Sequence, residues 1–386
     1  MSYIISYKKQ WRCVLNKVAI ITWCNVNVNY GQVLQAYAMQ RIVKKYKLNP
    51  ITIKYRKPDD NEPINYMKNP LINQFYEWYH GMSSVGSELW KTKSKFNRFA
   101  RKYINMTVPC YSREEVEKEL DSQGCSVLMC GSDQIWNPVA FDPVLYLDIG
   151  EKNCKRIAYA PSIGEDELSS SNRHIFEKMV SLIEKIDYIS VREKSGELIL
   201  KQLTEKQVTT VLDPTLLINS KGWDRIASGP KSEERYIFCY ICGDIRQHRP
   251  KLQKLKEKYK ASKIIYLRTS DNLINPIEKF CENIGIEEFL SLIKHAQAIF
   301  TDSFHGVAFA INYNKEFYTC KRFNVSAYNR SSRIINILEI LNLEDRYIED
   351  EDQIILDDYI SYKEVNIALK KERANSFKFL DKALKQ

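Results

Sequence analysis

The sequence predicts two doubly wound, Rossmann-like α/β domains facing a cleft, with an amphipathic helix at the carboxyl terminus. Three observations carry this expectation. Short apolar runs of strand length alternate with stretches whose apolar residues recur at helical spacing, the pattern of βαβ units and parallel sheets. The alternation pauses at Asp213-Pro214 and then begins again. Several apolar runs end directly in polar turns, and in open α/β sheets ligands bind beyond the carboxyl ends of the strands.

Taken in order, residues 18–23 read as a buried strand and 24–30 as an Asn-rich polar loop. Gly31 opens a helix whose apolar stripe is Val33, Leu34, Tyr37, Ala38, Ile42 and Val43. Pro50 ends the connection, and 51–53 form the second strand. Residues 57–81 are irregular and aromatic, with Tyr66, Phe75, Tyr76, Trp78 and Tyr79. A basic helix is expected over 90–106 and a short one over 114–120. Strands follow at 126–130, 156–160, 188–191 and 208–212, with a helix around 175–183. Beyond the boundary, strands at 236–241, 264–267, 298–300 and 317–319 alternate with helices at 250–259, 286–295, 306–312 and 330–341. Residues 363–386 form a basic amphipathic helix with no strand after it, expected to pack back across the first domain. The chain thus divides into a first domain, 1–215, carrying an aromatic and basic insertion at 57–106; a second domain, 216–345; and a helical segment, 346–386.

With 386 residues the chain has room for two or three domains, and 44% apolar with 27% charged residues is ordinary for a globular protein. The first eleven residues lack the apolar core of a secretory signal, and no run approaches the roughly 20 apolar residues of a spanning helix. A cytoplasmic protein is expected, either soluble or peripheral at the inner face of the cell membrane. Cys239 and Cys242 form a CxxC, but a strand points them to opposite faces and no second pair completes a zinc site. They read as reduced core cysteines. There is no G-x-G-x-x-G, no phosphate-loop G-x-x-x-x-G-K, no H-E-x-x-H and no G-x-S-x-G. A formal charge of +10 permits nucleic acid, anionic lipid or phosphorylated small molecules as partners without choosing among them.

The organising stretch is Thr301-Asp302-Ser303-Phe304-His305-Gly306, between the apolar run Ala298-Ile299-Phe300 and an apolar helix. A helix amino terminus there offers free N–H groups and partial positive charge, suited to an anion. Asp302 or Ser303 is placed to cap that helix, and His305 lies in its first turn. A lone histidine is more often a satisfied structural residue than a catalyst. Three similar turns weigh against that: Asn29-Tyr30-Gly31-Gln32, Gly131-Ser132-Asp133-Gln134 and Arg192-Glu193-Lys194-Ser195. In parallel sheets all four lie on the carboxyl-end side, the first three in one domain and the fourth in the other. Each has a plain alternative: Asn29 and Gly31 as turn and cap, Asp133 as a cap, Arg192 in a surface ion pair, Trp136 in the core.

These motifs together resemble the polysaccharide pyruvyl transferase family. Asn29-Tyr30-Gly31-Gln32-Val33-Leu34-Gln35-Ala36 is similar to that family's amino-terminal signature, and Gly131-Ser132-Asp133-Gln134-Ile135-Trp136-Asn137-Pro138 to its central one. Ser190-Val191-Arg192-Glu193, Asp213-Pro214-Thr215-Leu216-Leu217 and the His305 stretch resemble its later motifs, in order. Many members carry a basic residue two before the histidine, where this chain has Ser303; Arg322, Arg330 or Arg333 are candidates to replace it.

The resemblance implies a GT-B-like fold, with acceptor on the first domain and donor on the second. It implies phosphoenolpyruvate as donor and a sugar of a bacterial capsule or exopolysaccharide as acceptor, carried on a polyprenyl-diphosphate oligosaccharide. The product is a pyruvate ketal, with phosphate released. No metal, cofactor or nucleic acid is expected. His305 and Asp133 are the implied catalytic residues. Arg192, Asn29, Gly31, Ser132, Asp302, Ser303, Arg330 and Arg333 are the implied binding residues. A histidine with a pKa near neutrality suits protonation of the donor's methylene carbon, and a carboxylate suits the sugar hydroxyl. Two other functions fit the same residues: a GT-B glycosyltransferase using a nucleotide-sugar, and a non-catalytic polyanion-binding protein.

The helix over 90–106 also has two readings. Phe96, Phe99, Tyr103 and Met106 share one face, and Lys91, Lys93, Lys95, Arg98, Arg101 and Lys102 supply charge. Such a helix either docks on the first domain with a solvated basic side or lies on anionic lipid.

Overall fold

The computed structural model describes residues 17–24, 28–57, 84–168, 173–229, 234–267, 280–281, 283–322, 331–349 and 358–385. The aromatic residues Tyr66, Phe75, Tyr76, Trp78 and Tyr79 lie outside these, as does Arg330.

The first domain runs β1 (Lys17–Ile21), α1 (Tyr30–Lys45), β2 (Asn49–Tyr55), α2 (Ser84–Tyr103), β3 (Met106–Cys110), α3 (Arg113–Gln123) and β4 (Val127–Cys130). It continues with β5 (Lys155–Ala158), α4 (Arg173–Ile183), β6 (Tyr188–Val191), α5 (Lys194–Lys201) and β7 (Val208–Thr210). These strands form one parallel sheet in the order β3-β2-β1-β4-β5-β6-β7. Two short helices, α6 (Pro214–Leu217) and α7 (Ser220–Trp223), lead to the second domain. There β8 (Tyr236–Tyr240), α8 (Arg249–Lys258), β9 (Lys263–Leu267), β10 (Phe280–Cys281), α9 (Ile286–His295), β11 (Ala298–Thr301), α10 (Phe304–Asn312), β12 (Glu316–Cys320), α11 (Ser332–Leu341) and β13 (Tyr347–Ile348) follow. Their sheet, also parallel, has the order β10-β9-β8-β11-β12-β13. The last helix is α12 (Tyr362–Lys385).

Each sheet winds outward from its first strand, then crosses back to start again beside it. The winding reverses between β1 and β4 in the first sheet and between β8 and β11 in the second. Crevices at such switch points, beyond the strand carboxyl ends, are where doubly wound sheets hold ligands.

Side chains alternate across each strand, so one strand feeds two cores. Ala19 and Ile21 join the outer core of the first sheet, and Ile237 and Cys239 that of the second. Val18, Ile20, Phe238 and Tyr240 point into a middle core shared with α1, α9, α10 and α12. The two domains are therefore joined by apolar packing and not by a linker alone. Cys239 and Cys242 fall in different cores, on opposite sides of the second sheet.

The structure departs from the sequence reading at several elements. The strands β3, β10 and β13 were not anticipated, and β13 gives residues of the 346–386 segment to the second sheet. Each is an edge strand, where partial burial leaves a short, weak apolar signal. Met106 belongs to β3 and not to the helix before it. Lys194-Ser195 open the helix α5, where a polar turn was expected. Of the two readings of α2, docking holds for its aromatic face: Phe96 and Phe99 are fully buried, packed on Tyr30 and Tyr37 of α1, and are not offered to lipid. Lys91, Arg98, Arg101, Lys102 and Trp90 remain on the outside. The helix also reaches the second domain, where Lys95 Nζ donates to Glu288 Oε1 at 2.5 Å and to Asn283 O at 2.6 Å.

α12 packs back across the first domain. Tyr46 donates to Asp381, the Leu212 N–H to Ser376 Oγ, and Arg373 reaches Leu216 O and Asn312 Oδ1, binding both domains.

Candidate active site

Both switch points open into the same cleft, of ≈ 320 Å³. From the first domain it is lined by Trp23 and Asn29 after β1, and by Asp133, Gln134 and Asn137 after β4. From the second it is lined by Tyr240 at the end of β8, Ser303 and His305 after β11, then Arg322 and Arg333.

His305 sits in the first turn of α10, with 6% of its surface exposed. Its ring lies against the first turn of α1. A Cβ on Gly31 would stand 2.1 Å from His305 Nδ1, which is why position 31 carries none. Gly31 is therefore a packing residue that admits the imidazole between the domains. The Nε2 atom is buried and has no hydrogen-bond partner among the described residues. Burial drives the imidazole below its ordinary pKa; Asp213 and Asp133 oppose that, and Arg192 and Arg333 add to it.

Asp213 is the hub beneath this histidine. Its Oδ1 accepts from Thr215 N at 2.9 Å and Thr215 Oγ1 at 2.7 Å. Its Oδ2 accepts from Arg192 Nη1 and Ser132 Oγ, both at 2.8 Å. His305 Nε2 lies 3.9 Å from the same Oδ2, beyond hydrogen-bonding range. Burial alone would raise the carboxyl pKa; His305, then Arg192 and the Thr215 bonds outweigh it and hold the group below its usual range.

Arg192 is placed behind the cleft surface, 3% exposed, with its guanidinium 4.5 Å from the centre of the Phe304 ring. Nη2 lies 3.8 Å from Asp133 Oδ1. Nε and Nη2 have no hydrogen-bond partner among the described residues. Asp133 is at the cleft surface, and its φ of 74° is left-handed, a backbone state uncommon outside glycine. Gly131, two residues before, is also left-handed, and a Cβ there would meet Tyr159 O at 2.0 Å.

The remaining expected site residues divide. Asn29 lines the cleft and caps α1, accepting from Gln32 N at 3.1 Å. Ser303 lines the cleft at the N-cap position of α10 without a side-chain capping bond. Arg333, on α11, lines it with Nε unpartnered among the described residues; burial, then Arg192, lowers its pKa to about 9. Arg322 lines it with its Nε 3.3 Å from Asp302 Oδ2. Two expectations are corrected. Ser132 is fully buried between Asp213 and Ala160 O, so its hydroxyl supports the site from behind. Asp302 turns its carboxylate to the N–H groups of Cys242 and Gly243, both at 2.8 Å, stitching the ends of β8 and β11 together. Glu193 is likewise structural: its Oε1 accepts from Ser162 Oγ, Ile163 N and Gly164 N.

Sequence reasoning missed Asp213, which served there only as a boundary and a motif member. The signal was present, since it follows the apolar run ending at Leu212, as the other site residues follow theirs.

Two facing parallel sheets with a polar cleft across their switch points define a GT-B-like protein, and the histidine, carboxylates and arginines at that cleft suit group transfer to or from an anion. The chain belongs to the polysaccharide pyruvyl transferase family, whose profile matches residues 29–322. It is thus a transferase of polysaccharide biosynthesis. No curated protein matches the sequence. Among solved structures, UDP-GlcNAc 2-epimerase from Methanocaldococcus jannaschii is similar at 15% identity and TM-score 0.48, covering 92% of each chain. UDP-N-acetylglucosamine 2-epimerase from Rickettsia bellii is similar at 10% identity and TM-score 0.46, covering 96% of this chain and 97% of its own.

Proposed function

We propose that this protein transfers the enolpyruvyl group of phosphoenolpyruvate to two hydroxyls of one sugar in a surface-polysaccharide precursor. The observation that carries the reading is the convergence of Arg192, Arg322 and Arg333 around His305, with buried guanidinium nitrogens of Arg192 and Arg333 unpartnered among the described residues. Phosphoenolpyruvate brings a carboxylate and a phosphate, and arginine forks match both groups. Arg322 and Arg333 line the cleft and are the direct ligands of this reading; Arg192 stands behind them.

In this reading protonated His305 donates to the methylene carbon of the donor, leaving positive charge on the central carbon. A sugar hydroxyl adds there, and its proton passes to Asp133. The phosphate C–O bond then breaks and the second hydroxyl closes the ketal. One hydroxyl proton replaces that given by His305; the other leaves with phosphate. The acceptor sugar, carried on a polyprenyl diphosphate, lies on the first-domain side beside Trp23, Asn29 and Gln134, and the donor on the second. The reaction as written uses no metal or redox cofactor. Among the described residues no helix is long and apolar enough to cross a membrane, so a lipid-carried acceptor would be met at the membrane surface.

The test is incubation with phosphoenolpyruvate and a polyprenyl-diphosphate oligosaccharide, followed by mass spectrometry and phosphate assay. A mass gain equal to a pyruvate ketal with one inorganic phosphate released is expected. Release of a nucleoside diphosphate from a nucleotide-sugar, with none from phosphoenolpyruvate, would replace this reading with glycosyl transfer.

A further inference from the structure

Two carboxylates stand near His305, and their surroundings separate their tasks. Asp133 is at the cleft surface, with 11% of its side chain exposed and Arg192 Nη2 at 3.8 Å. Asp213 has none of its side chain exposed. A carboxylate offers about four lone-pair sites. Thr215 N, Thr215 Oγ1 and Arg192 Nη1 fill three of those of Asp213, and Ser132 Oγ, whose single proton also reaches Ala160 O, faces the fourth. With none of its side chain exposed, it presents no site to a substrate proton, so Asp213 is unsuited to be a general base. What it retains is its charge. That charge lies 3.9 Å from His305 Nε2, close enough to favour an imidazolium and too far to occupy the nitrogen.

We propose that Asp213 is the positioning residue of this cleft: it fixes the Arg192 guanidinium by direct bonding and, through space, opposes the loss of a proton from His305 while leaving Nε2 open to the donor. The idea deepens the pyruvyl-transfer reading and rests on it for the donor, but the effect on His305 exists before any substrate binds. The charged groups facing the imidazole are Asp213 after β7, Asp133 after β4, Arg192 after β6 and Arg333 on α11. The α1 turn contributes the Gly31 backbone at Nδ1 and no charged side chain. Asp213 outranks Asp133 as the opposing charge, because burial without solvent leaves its field less screened. Two carboxylates given different roles by environment is a recurring arrangement in proton-transfer sites.

The experiment is an NMR titration of the imidazole ring protons in the full-length, substrate-free protein. Its five histidines are assigned by difference, with His305→Gln removing one signal. In Asp213→Asn the His305 midpoint is expected to fall by about one pH unit or more, the lower end of what a close opposite charge is worth. An unchanged midpoint in folded Asp213→Asn overturns the proposal. Should that variant not fold, Thr215→Val removes one donor from Asp213 Oδ1 and keeps the charge. It is expected to move the His305 midpoint upward, and a fixed or lowered midpoint overturns the proposal equally. The alkaline limb of turnover with phosphoenolpyruvate should shift with the NMR midpoint. If the midpoint moves but phosphoenolpyruvate is not a substrate, the positioning role stands and the donor assignment fails.

Discussion

The imidazole of His305 rests on the backbone of Gly31: a Cβ on Gly31 would lie 2.1 Å from Nδ1, so two domains meet at one absent methyl group. The histidine comes from the start of α10 and the glycine from the start of α1. Each first turn therefore sets the position of the other.

This contact makes Gly31→Ala the least conservative of small substitutions. Alanine is the better helix former by about 1 kcal/mol, so an exposed glycine at this position would gain stability from the change. Here the methyl must push the ring aside. Turnover should fall at least tenfold, and the melting temperature should drop instead of rising. Turnover at the wild-type rate would show that the ring is not held by this contact.

Replacing His305 by Gln should leave the fold intact and donor affinity nearly unchanged, while kcat falls by roughly 10² to 10⁴, the usual worth of general acid–base help. Thermal melts beside single-turnover rates separate this from a packing role. A variant that melts early but turns over normally per folded molecule would make His305 structural.

The depressed pKa of His305 has a sign that can be measured. In the folded, ligand-free protein burial disfavours the charged ring, and two donor anions would raise its pKa, so donor binding should take up a proton. Calorimetry in buffers of different ionisation enthalpy reads this uptake, which should vanish in His305→Gln. The same depression acts on folding. Above the unfolded histidine pKa of about 6.5 both states are neutral and stability is whole; below it the unfolded chain binds the proton first, and stability falls until the folded pKa is reached. His305→Gln should flatten that acid slope, and an unchanged slope would contradict the burial argument.

Arg192 and Arg333 should respond differently. Arg333→Met, at the cleft surface, should raise KM for phosphoenolpyruvate with little change in melting temperature. Arg192→Ala leaves the buried Asp213 carboxylate without its cation and should cost about 3–5 kcal/mol of stability, the range for one broken partner of a buried pair. Arg192→Lys should recover part of the stability and little of the activity, because one ammonium cannot replace a planar fork. Denaturant titration and steady-state kinetics on the three variants decide this.

The aromatic face of α2 should behave as core. Phe99→Ala should destabilise the protein by about 3–5 kcal/mol, as truncation of buried aromatics does. Flotation with anionic vesicles should depend on the outward Lys91, Arg98 and Lys102 and weaken with salt. Binding that resists salt and requires Phe99 in a stable variant would restore the lipid-facing reading.

The sequence by itself determined the order of the major strands and helices, because each buried segment writes its own period: Val18 and Ile20 face one core while Ala19 and Ile21 face another. It also located the polar turns at the strand ends, including His305 and Asp133, because local chain order places those turns once the strands are recognised. Edge strands such as β3 and β13 escaped because their pairing satisfies the backbone without imprinting a strong apolar pattern. Only the tertiary structure decided which polar residues meet. Asp302 and Ser132 read as ligand residues from their position, yet hydrogen bonds to the β8 end and to Asp213 turn their side chains inward. Asp213 read as punctuation between domains, yet four donors drawn from three segments converge on it. The Gly31–His305 contact joins residues 274 positions apart, and no local spacing encodes a distance set by the packing of two sheets and the helices between them.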